Sequence, residues 1–494
     1  MSDSLWARTQ EAFAADGPLA RADPAYRVRP QQLALAQAVC RALQERQVLV
    51  AEAGTGVGKT FAYLVPLLLA GGRALVSTAT KSLQDQLYLR DLPRLLRTLG
   101  LPLHIALLKG RSSYLCRHRL DQARVAAQLP DRYAVRALAR VQAWAQATRS
   151  GDLAEVEGLD ERSPVIPLVT STRDNCLGTE CPQYRQCHVV QARREAMAAE
   201  LVVINHHLFF ADLALRDSGV AELLPTVDAA VFDEAHQLID VGVQFLGRTL
   251  GTAQLLDFAR DLLAVGNSQA RGLAPWHELG AAVERGAREL RLALAGDLRG
   301  LGGSRRLRWE ECAPRSEVAD AQGALAAALQ QVGHCLAVHL EAGPDFVRLH
   351  ERVQELGAGV QLFQQAVPAE RVRWIDLSAQ QVRLVESPLD IREMLQGERS
   401  RAARSWIFTS ATLGDDDALS WFTRRAALED ARTLRVQSPF DYTAHARVWV
   451  PPDMPRPGEA AHAQAVGTVA ARCASALQGR CFVLTTTLRA LPAI

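Results

Sequence analysis

The sequence predicts an α/β protein built on a parallel sheet, and three observations predict it. Residues 48–50 (VLV) are a short apolar, β-prone run that opens into a glycine-rich turn and a helical run, FAYLVPLLLA. A second apolar run at 229–232 ends directly in Asp233 and Glu234, and a third lies at 406–409. Strands this far apart, with helical stretches between them, pair in parallel through crossover connections.

The gross numbers fit such a protein. The 494 residues accommodate roughly three or four domains of about 150 residues each. The chain is 48% hydrophobic, enough for large cores. Its N-terminal MSDSLWARTQEAFAADG has no charged-then-apolar signal pattern, and the apolar run at 64–70 is too short to span a bilayer. A soluble, cytoplasmic protein is expected. Nine cysteines, an odd number, in a reducing compartment argue against a disulfide framework and leave metal binding or core packing. A net charge of +2 gives no global basic excess that would point to nucleic acid. Lysine occurs only at Lys59, Lys81 and Lys109, in a chain otherwise basic through arginine. Such rarity singles out places where a compact ammonium matters, although at Lys81 and Lys109 chance retention reads as well.

The turn after the first strand is Ala53, Gly54, Thr55, Gly56, Val57, Gly58, Lys59 and Thr60. Strand, glycine-rich turn and helix form the context a P-loop requires. The glycines let successive backbone N–H groups point at phosphate oxygens, and the helix N-terminus adds a positive dipole. Lys59 would reach the β- and γ-phosphates of ATP, and the Thr60 hydroxyl would ligate Mg²⁺. Ala53 stands where the strict pattern has its first glycine. Residues 228–236, DAAVFDEAH, place Asp233, Glu234 and His236 at the carboxyl end of a strand, where open α/β sheets bind ligands. Asp233 would hold Mg²⁺, Glu234 would activate the attacking water, and His236 would couple nucleotide state to nucleic acid.

Around these two sites the sequence resembles the DinG/YoaA branch of the XPD-like DNA helicases, DEAH motors of superfamily two, in motifs ordered along the whole chain. Arg29-Pro30-Gln31-Gln32 resembles the adenine-reading Q motif, with Gln32 the matching glutamine. Residues 74–86 (ALVSTATKSLQDQ) resemble motif Ia, which implies DNA-backbone contacts near Thr78 and Lys81. Residues 204–212 (INHHLFFAD) are similar to a segment that precedes the DEAH strand; alone, His206-His207 reads as a packed or capping pair. Residues 408–413 (FTSATL) resemble motif III, which implies that Ser410 and Thr412 link ATP to DNA. Residues 438–440 (SPF) resemble the opening of a second motor domain, and 481–491 (CFVLTTTLRAL) its next strand and motif IV. The family's motifs V and VI, with the arginine finger, would lie beyond Ile494. The expectation for residues 1–494 is therefore weak nucleotide binding and poor unwinding. The alternative is a nucleic-acid-binding clamp or ATP-binding module without motor activity. The Q motif begins at Arg29, which is expected to leave no room for an N-terminal exonuclease domain.

Cys116, Cys176, Cys181 and Cys187 form C-x59-C-x4-C-x5-C. Structural zinc sites use tight pairs roughly two to four residues apart with a second pair elsewhere, which fits these gaps poorly. A four-thiolate cubane cluster accepts varied spacings. On spacing, iron–sulfur, zinc and packed thiols all stay open; the resemblance implies a [4Fe-4S] cluster on all four. Cys40, Cys312, Cys335, Cys473 and Cys481 read as core. Around the insertion Arg111, Arg117, Arg119, Arg124, Arg132, Arg136, Arg140 and Arg149 face only Asp121 and Asp131 through residue 150. That is a phosphate-binding candidate, or else a solvated helix face. Tyr114, Tyr133, Trp144 and Tyr184 offer rings for base stacking.

From 247 to 393 the pattern is helical, with a glycine-rich break at 300–304 and strand-like runs at 372–375 and 382–385. The predicted architecture is a P-loop RecA-like motor domain with an Fe–S insertion and a helical Arch insertion, plus the start of a second RecA-like domain. The expected boundaries are 1–110 (Q motif, P-loop, motif Ia), 111–195 (Fe–S insertion), 196–246 (DEAH), 247–395 (Arch), 396–435 (motif III) and 436–494 (second motor domain). The resemblance implies an ATP-dependent DNA helicase moving 5′ to 3′ and unwinding from single-stranded tails in repair or replication stress. It implies a [4Fe-4S] cluster and Mg²⁺ as cofactors and ATP as substrate. It also implies single-stranded and forked DNA, and replication or repair proteins, as partners of a monomer.

Overall fold

The computed structural model describes residues 4–494 except 126–131, 161–162, 218–222, 297–303, 379, 458 and 486–489. The chain forms two compact units, Met1–Pro439 and Phe440–Ile494.

The first unit holds β1 (Val48–Ala53), β2 (Ala74–Thr78), β3 (Ile105–Leu107), β4 (Leu201–Asn205), β5 (Ala229–Asp233), β6 (Arg248–Gly251), β7 (Arg305–Arg308), β8 (Arg371–Leu377), β9 (Val382–Pro388), β10 (Ser405–Ser410) and β11 (Arg432–Val436). Seven of these make a parallel sheet in the order β11-β1-β10-β5-β2-β4-β3. Its strands alternate between two buried faces. Leu49, Ala51, Val76, Val203, Val231 and Ile407 pack under the helices Pro30–Glu45 and Lys59–Ala70. Val50, Leu75, Val202, Phe232, Trp406 and Phe408 pack on the opposite side. Burial on both faces is why these strands read as continuous apolar runs. Phe232 stacks on Trp406 and Phe408 with ring centroids 5.6 and 5.0 Å away. Burying each such side chain stabilises the sheet by roughly 1.5–3 kcal/mol. Parallel pairing also lines up the carboxyl ends on one edge: Thr409 lies opposite Asp233, and Ser410 opposite Glu52.

The chain leaves this sheet twice. Between β3 and β4 the helices Arg117–Val125 and Arg132–Ala145 cover a small core that includes Leu115, Leu120, Leu138, Val141, Val165 and Val169. Between β5 and β10 the helices Thr252–Gln269, Trp276–Ala295, Ser316–Val338 and Pro344–Gln364 pack around Phe258, Trp276, Phe346 and Phe363. They sit with a second, antiparallel sheet in the order β6-β9-β8-β7. The helical pattern expected across 247–393 is therefore corrected: β8 and β9 exceed the short runs expected, and β6 and β7 were not expected. Strand β7 is RRLR, with no apolar alternation, and forms because the β8 edge offers partners such as Asp376 to Arg306. The expected break at 300–304 lies mostly outside the described residues.

The two insertions meet through polar groups. Asp261 receives both Arg119 and Arg352 at 2.7 Å. The Arg348 guanidinium donates to the carbonyls of Arg173 and Asp174, just before Cys176. His118 lies 3.2 Å from Asp345.

In the second unit the helix Ala460–Ala476 is the longest element. Among its described residues there is no strand, so the strand expected from Cys481 is not formed over 481–485; 486–489 lie outside the described residues. An apolar run becomes a strand only where another strand accepts its backbone hydrogen bonds. Trp449, Phe482 and Leu484 are correspondingly exposed. Among the described residues no helix is long and apolar enough to cross a membrane.

Candidate active site and cysteine cluster

The P-loop is held from three directions. Gly54 donates its N–H to the Val436 carbonyl at 2.9 Å, and the Ser438 hydroxyl donates to the Thr55 carbonyl at 2.7 Å. A side chain at Gly54 would sit 2.7 Å from the Ser438 nitrogen, so only glycine fits this approach. Gln32 is buried and donates its amide to the Gly58 carbonyl at 2.9 Å. Gly58 has φ +84°, and a Cβ there would lie 2.3 Å from Gln32 Nε2. Gln32 thus braces the loop directly. Lys59 opens the helix Lys59–Ala70, and its ammonium lies 3.6 Å from Glu234 Oε1.

Strand β5 delivers Asp233 into a buried position. Its Oδ2 accepts the Tyr63 hydroxyl at 2.9 Å, and its Oδ1 accepts the Glu234 N–H at 3.0 Å. Burial, and then the neighbouring Glu234 charge, push the Asp233 carboxyl up to about 6. Glu234 itself has φ +55°, a left-handed conformation that costs a non-glycine residue of order 1–3 kcal/mol. The turn aims its carboxylate back across the sheet edge. Glu234 Oε2 accepts the Ser410 hydroxyl at 3.2 Å, and His236 Nδ1 lies 2.8 Å from the same hydroxyl and 3.4 Å from Oε2. The P-loop lysine, the DEAH turn and the serine at the end of β10 therefore converge on one carboxylate.

The remaining expected residues divide. Thr412 is exposed next to Ser410, whose oxygen accepts its N–H at 3.4 Å. Lys81 is exposed at the start of the helix Lys81–Gln86, which the Thr80 side chain caps. Thr78 is fully buried and gives its hydroxyl to the Thr80 carbonyl, so Thr80 and Lys81 are the exposed groups at that edge.

Four supporting groups had no strong signal in the sequence. Tyr63 is a core-like residue one turn into the P-loop helix. Glu52 points from β1 to accept the N–H groups of Leu413 and Gly414 at 2.7 and 3.1 Å, and also pairs with Arg435. His206 lies buried against the backbone of the DEAH turn, with Nδ1 2.7 Å from the Ser77 hydroxyl of β2. Burial pushes its pKa down to about 3, so it is neutral at working pH. Lys109, almost fully buried, bridges Asp85 at 2.7 Å and Asp152 at 2.6 Å, joining the Lys81–Gln86 helix to the first insertion.

Cys116, Cys176, Cys181 and Cys187 are all free and partly buried. Cys116 directly precedes the helix Arg117–Val125, and Cys187 directly precedes His188–Ala198. Short turns at Gly178–Glu180 and Tyr184–Gln186 wrap the middle of the segment. Burial pushes the Cys116 thiol up to about 11, and Cys181, Cys176 and Cys187 add to the shift. Among the described residues no three His, Cys, Asp or Glu side chains are close enough to hold a single metal ion. Of the rings expected for stacking, Tyr114 is core: its hydroxyl oxygen accepts the Lys109 N–H. Tyr133 is exposed on the helix Arg132–Ala145, beside the exposed Arg132, Arg136 and Arg140. Arg119 is committed to Asp261 and Arg124 lies 3.7 Å from Asp121, so those two belong to ion pairs; Asp131 lies outside the described residues.

Comparison with known proteins adds the following. A DEAD/DEAH box helicase family model matches residues 30–149. The chain is 36% identical over 474 residues to the ATP-dependent DNA helicase YoaA of Haemophilus influenzae, covering 96% of this chain and 73% of that one. It is 37% identical over 478 residues to the YoaA of Escherichia coli, with 96% and 74% covered. It is 38% identical over 253 residues to the ATP-dependent helicase DinG of Mycobacterium tuberculosis, covering 46% of this chain and 37% of that one. Among solved structures, an XPD helicase aligns over 90% of this chain and 71% of its own, at a TM-score of 0.48 and 14% identity.

Proposed function

This chain belongs to the YoaA and DinG family of ATP-dependent DNA helicases, and we propose that it hydrolyses ATP between the P-loop and the DEAH turn to drive movement along single-stranded DNA. The observation that carries this reading is the convergence of Lys59, Ser410 and His236 on Glu234. Without nucleotide, Lys59 neutralises Glu234. Phosphates on the P-loop amides draw Lys59 away, and Glu234 is then free to accept a proton from water. Ser410 and His236 sense that change because both already contact the carboxylate. Thr60 and Asp233 would hold Mg²⁺, which when bound neutralises charge on the β- and γ-phosphates. Gln32 ties the adenine side of the site to the loop backbone.

For the DNA path, the exposed Arg132, Tyr133, Arg136 and Arg140 on one helix pair charge for phosphates with a ring for a base. Lys81 and Thr412 lie at exposed ends of the large sheet's connections. Movement 5′ to 3′ from single-stranded or forked tails, and a cytoplasmic role in repair, follow from the motif resemblance. The helical insertion takes the place of the Arch. Cys116, Cys176, Cys181 and Cys187 would hold a [4Fe-4S] cluster, supported by the electrostatic influence of the other three thiols on Cys116. Bound there, the cluster would supply covalent ties across the loops that carry these thiols.

Steady-state ATPase with and without single-stranded DNA tests the motor reading. We expect weak DNA-stimulated turnover, lower still by about 10²–10⁴-fold in Glu234→Gln. ATP and DNA binding with no turnover in the unsubstituted chain would identify a clamp instead. An anaerobic preparation that is colourless and carries stoichiometric zinc would overturn the cluster.

A further inference from the structure

Tyr63 is buried one turn beyond Thr60 on the P-loop helix, so the two side chains share a face. Its hydroxyl donates to Asp233 Oδ2 at 2.9 Å. A phenylalanine would fill the same space among Leu64, Val65 and Leu67, so packing does not require that oxygen. Burying a hydroxyl costs free energy unless it is hydrogen-bonded, and its bond goes to Asp233, which the proposed reading assigns to Mg²⁺. Asp233 Oδ1 is held separately by the Glu234 N–H. With one donor on each oxygen, the carboxylate plane cannot rotate.

We propose that Tyr63 is a positioning residue for the divalent cation: its hydroxyl holds Asp233 and sets that carboxylate before the metal arrives. It does not touch ATP or the reacting water; it acts through Asp233. Groups that orient metal ligands typically contribute about 10–100-fold in metal affinity. The inference rests on the assignment of Asp233 to Mg²⁺, and the test separates the two.

Mn²⁺ is titrated into the full chain with a non-hydrolysable ATP analogue, and bound metal is read by electron paramagnetic resonance. Tyr63→Phe is expected to weaken Mn²⁺ binding by about tenfold or more. Binding of the analogue without metal should be unchanged. On an Asp233→Asn background, adding Tyr63→Phe should cost less than about twofold further, because the two act as a unit. Tyr63→Phe binding Mn²⁺ as tightly as the unsubstituted chain would overturn the inference. So would an equal loss on the Asp233→Asn background. A loss of metal-free analogue binding would also overturn it, since the hydroxyl would then be serving the fold. If the unsubstituted chain shows no nucleotide-dependent Mn²⁺ binding, the assignment of the P-loop site fails and the inference fails with it.

Discussion

Around the large sheet, Asp233, Glu234 and Ser410 come from the ends of β5 and β10 and Lys59 from the helix after β1, and these strands are in hydrogen-bonded register with both faces packed. In the first insertion the four cysteines come from loops and short turns beside a core far smaller than either sheet face. The sheet needs nothing external to aim its side chains. The insertion is anchored by polar contacts from outside: Lys109 on one side, and Arg348, Arg352 and Asp261 on the other. On the proposed reading, catalytic precision is built into the covalent and hydrogen-bonded frame. The cysteine loop borrows its order from neighbours and, on the proposed reading, from a cluster.

The largest test of that contrast is Lys109→Met. It leaves Asp85 and Asp152 facing a buried gap with no cation, and breaking such an arrangement costs about 3–5 kcal/mol. Hydrogen exchange should show amides around Tyr114 and Cys116 losing protection while those of β5 keep it. Equal loss in both would mean that the insertion and sheet melt as one unit, and the contrast would be wrong.

A smaller effect separates two buried groups inside the sheet. The His206 pKa is about 3 when folded against 6.5 ordinarily, so its neutral form contributes stability that is full above 6.5 and is lost as pH falls toward 3. Asp233 has the opposite sign. Its pKa is raised from 3.8 to about 6, so its neutral form contributes stability that is present below 3.8 and lost as pH rises through about 6. Between these limits the two cancel. Without metal, His206→Gln should therefore lose stability as pH rises from 4 to 6, at up to about 1.4 kcal/mol per pH unit, beyond any slope of the unsubstituted chain. Denaturant titrations across that range would show it; parallel curves for the two chains would refute it.

The smallest expected effect is Ser410→Ala. It removes the hydroxyl shared by Glu234 and His236, worth about 1–2 kcal/mol, and should reduce DNA stimulation of the ATPase while lowering the melting temperature by only a few degrees. Unchanged stimulation would show that the link between β10 and the DEAH turn passes elsewhere.

Much of the catalytic edge was legible because its chemistry is local. A glycine-rich turn between a strand and a helix, and carboxylates directly after an apolar strand, are each contiguous. The β-strands of the large sheet were legible for a related reason: burial on both faces makes them uniformly apolar. What was hidden is long-range. Tyr63 reads as one more core residue until β5 lies beside its helix. Thr78 and Tyr114 read as surface contacts until packing buries them. Glu52 has no motif of its own, and the charged β7 has no apolar period.

By itself, the sequence determined which segments can be strands and helices, which loop can cradle phosphates, and which thiols are available as ligands, since these depend on backbone preference and side-chain type within a few residues. Tertiary structure alone decided that Lys59, Ser410 and His236 meet at Glu234, that Tyr63 reaches Asp233, and that Lys109 bolts the insertion to the sheet. These contacts join residues far apart in the chain. Parallel strands pair only after long crossovers close, so their register emerges from the packing of both sheet faces and from no short stretch of chain.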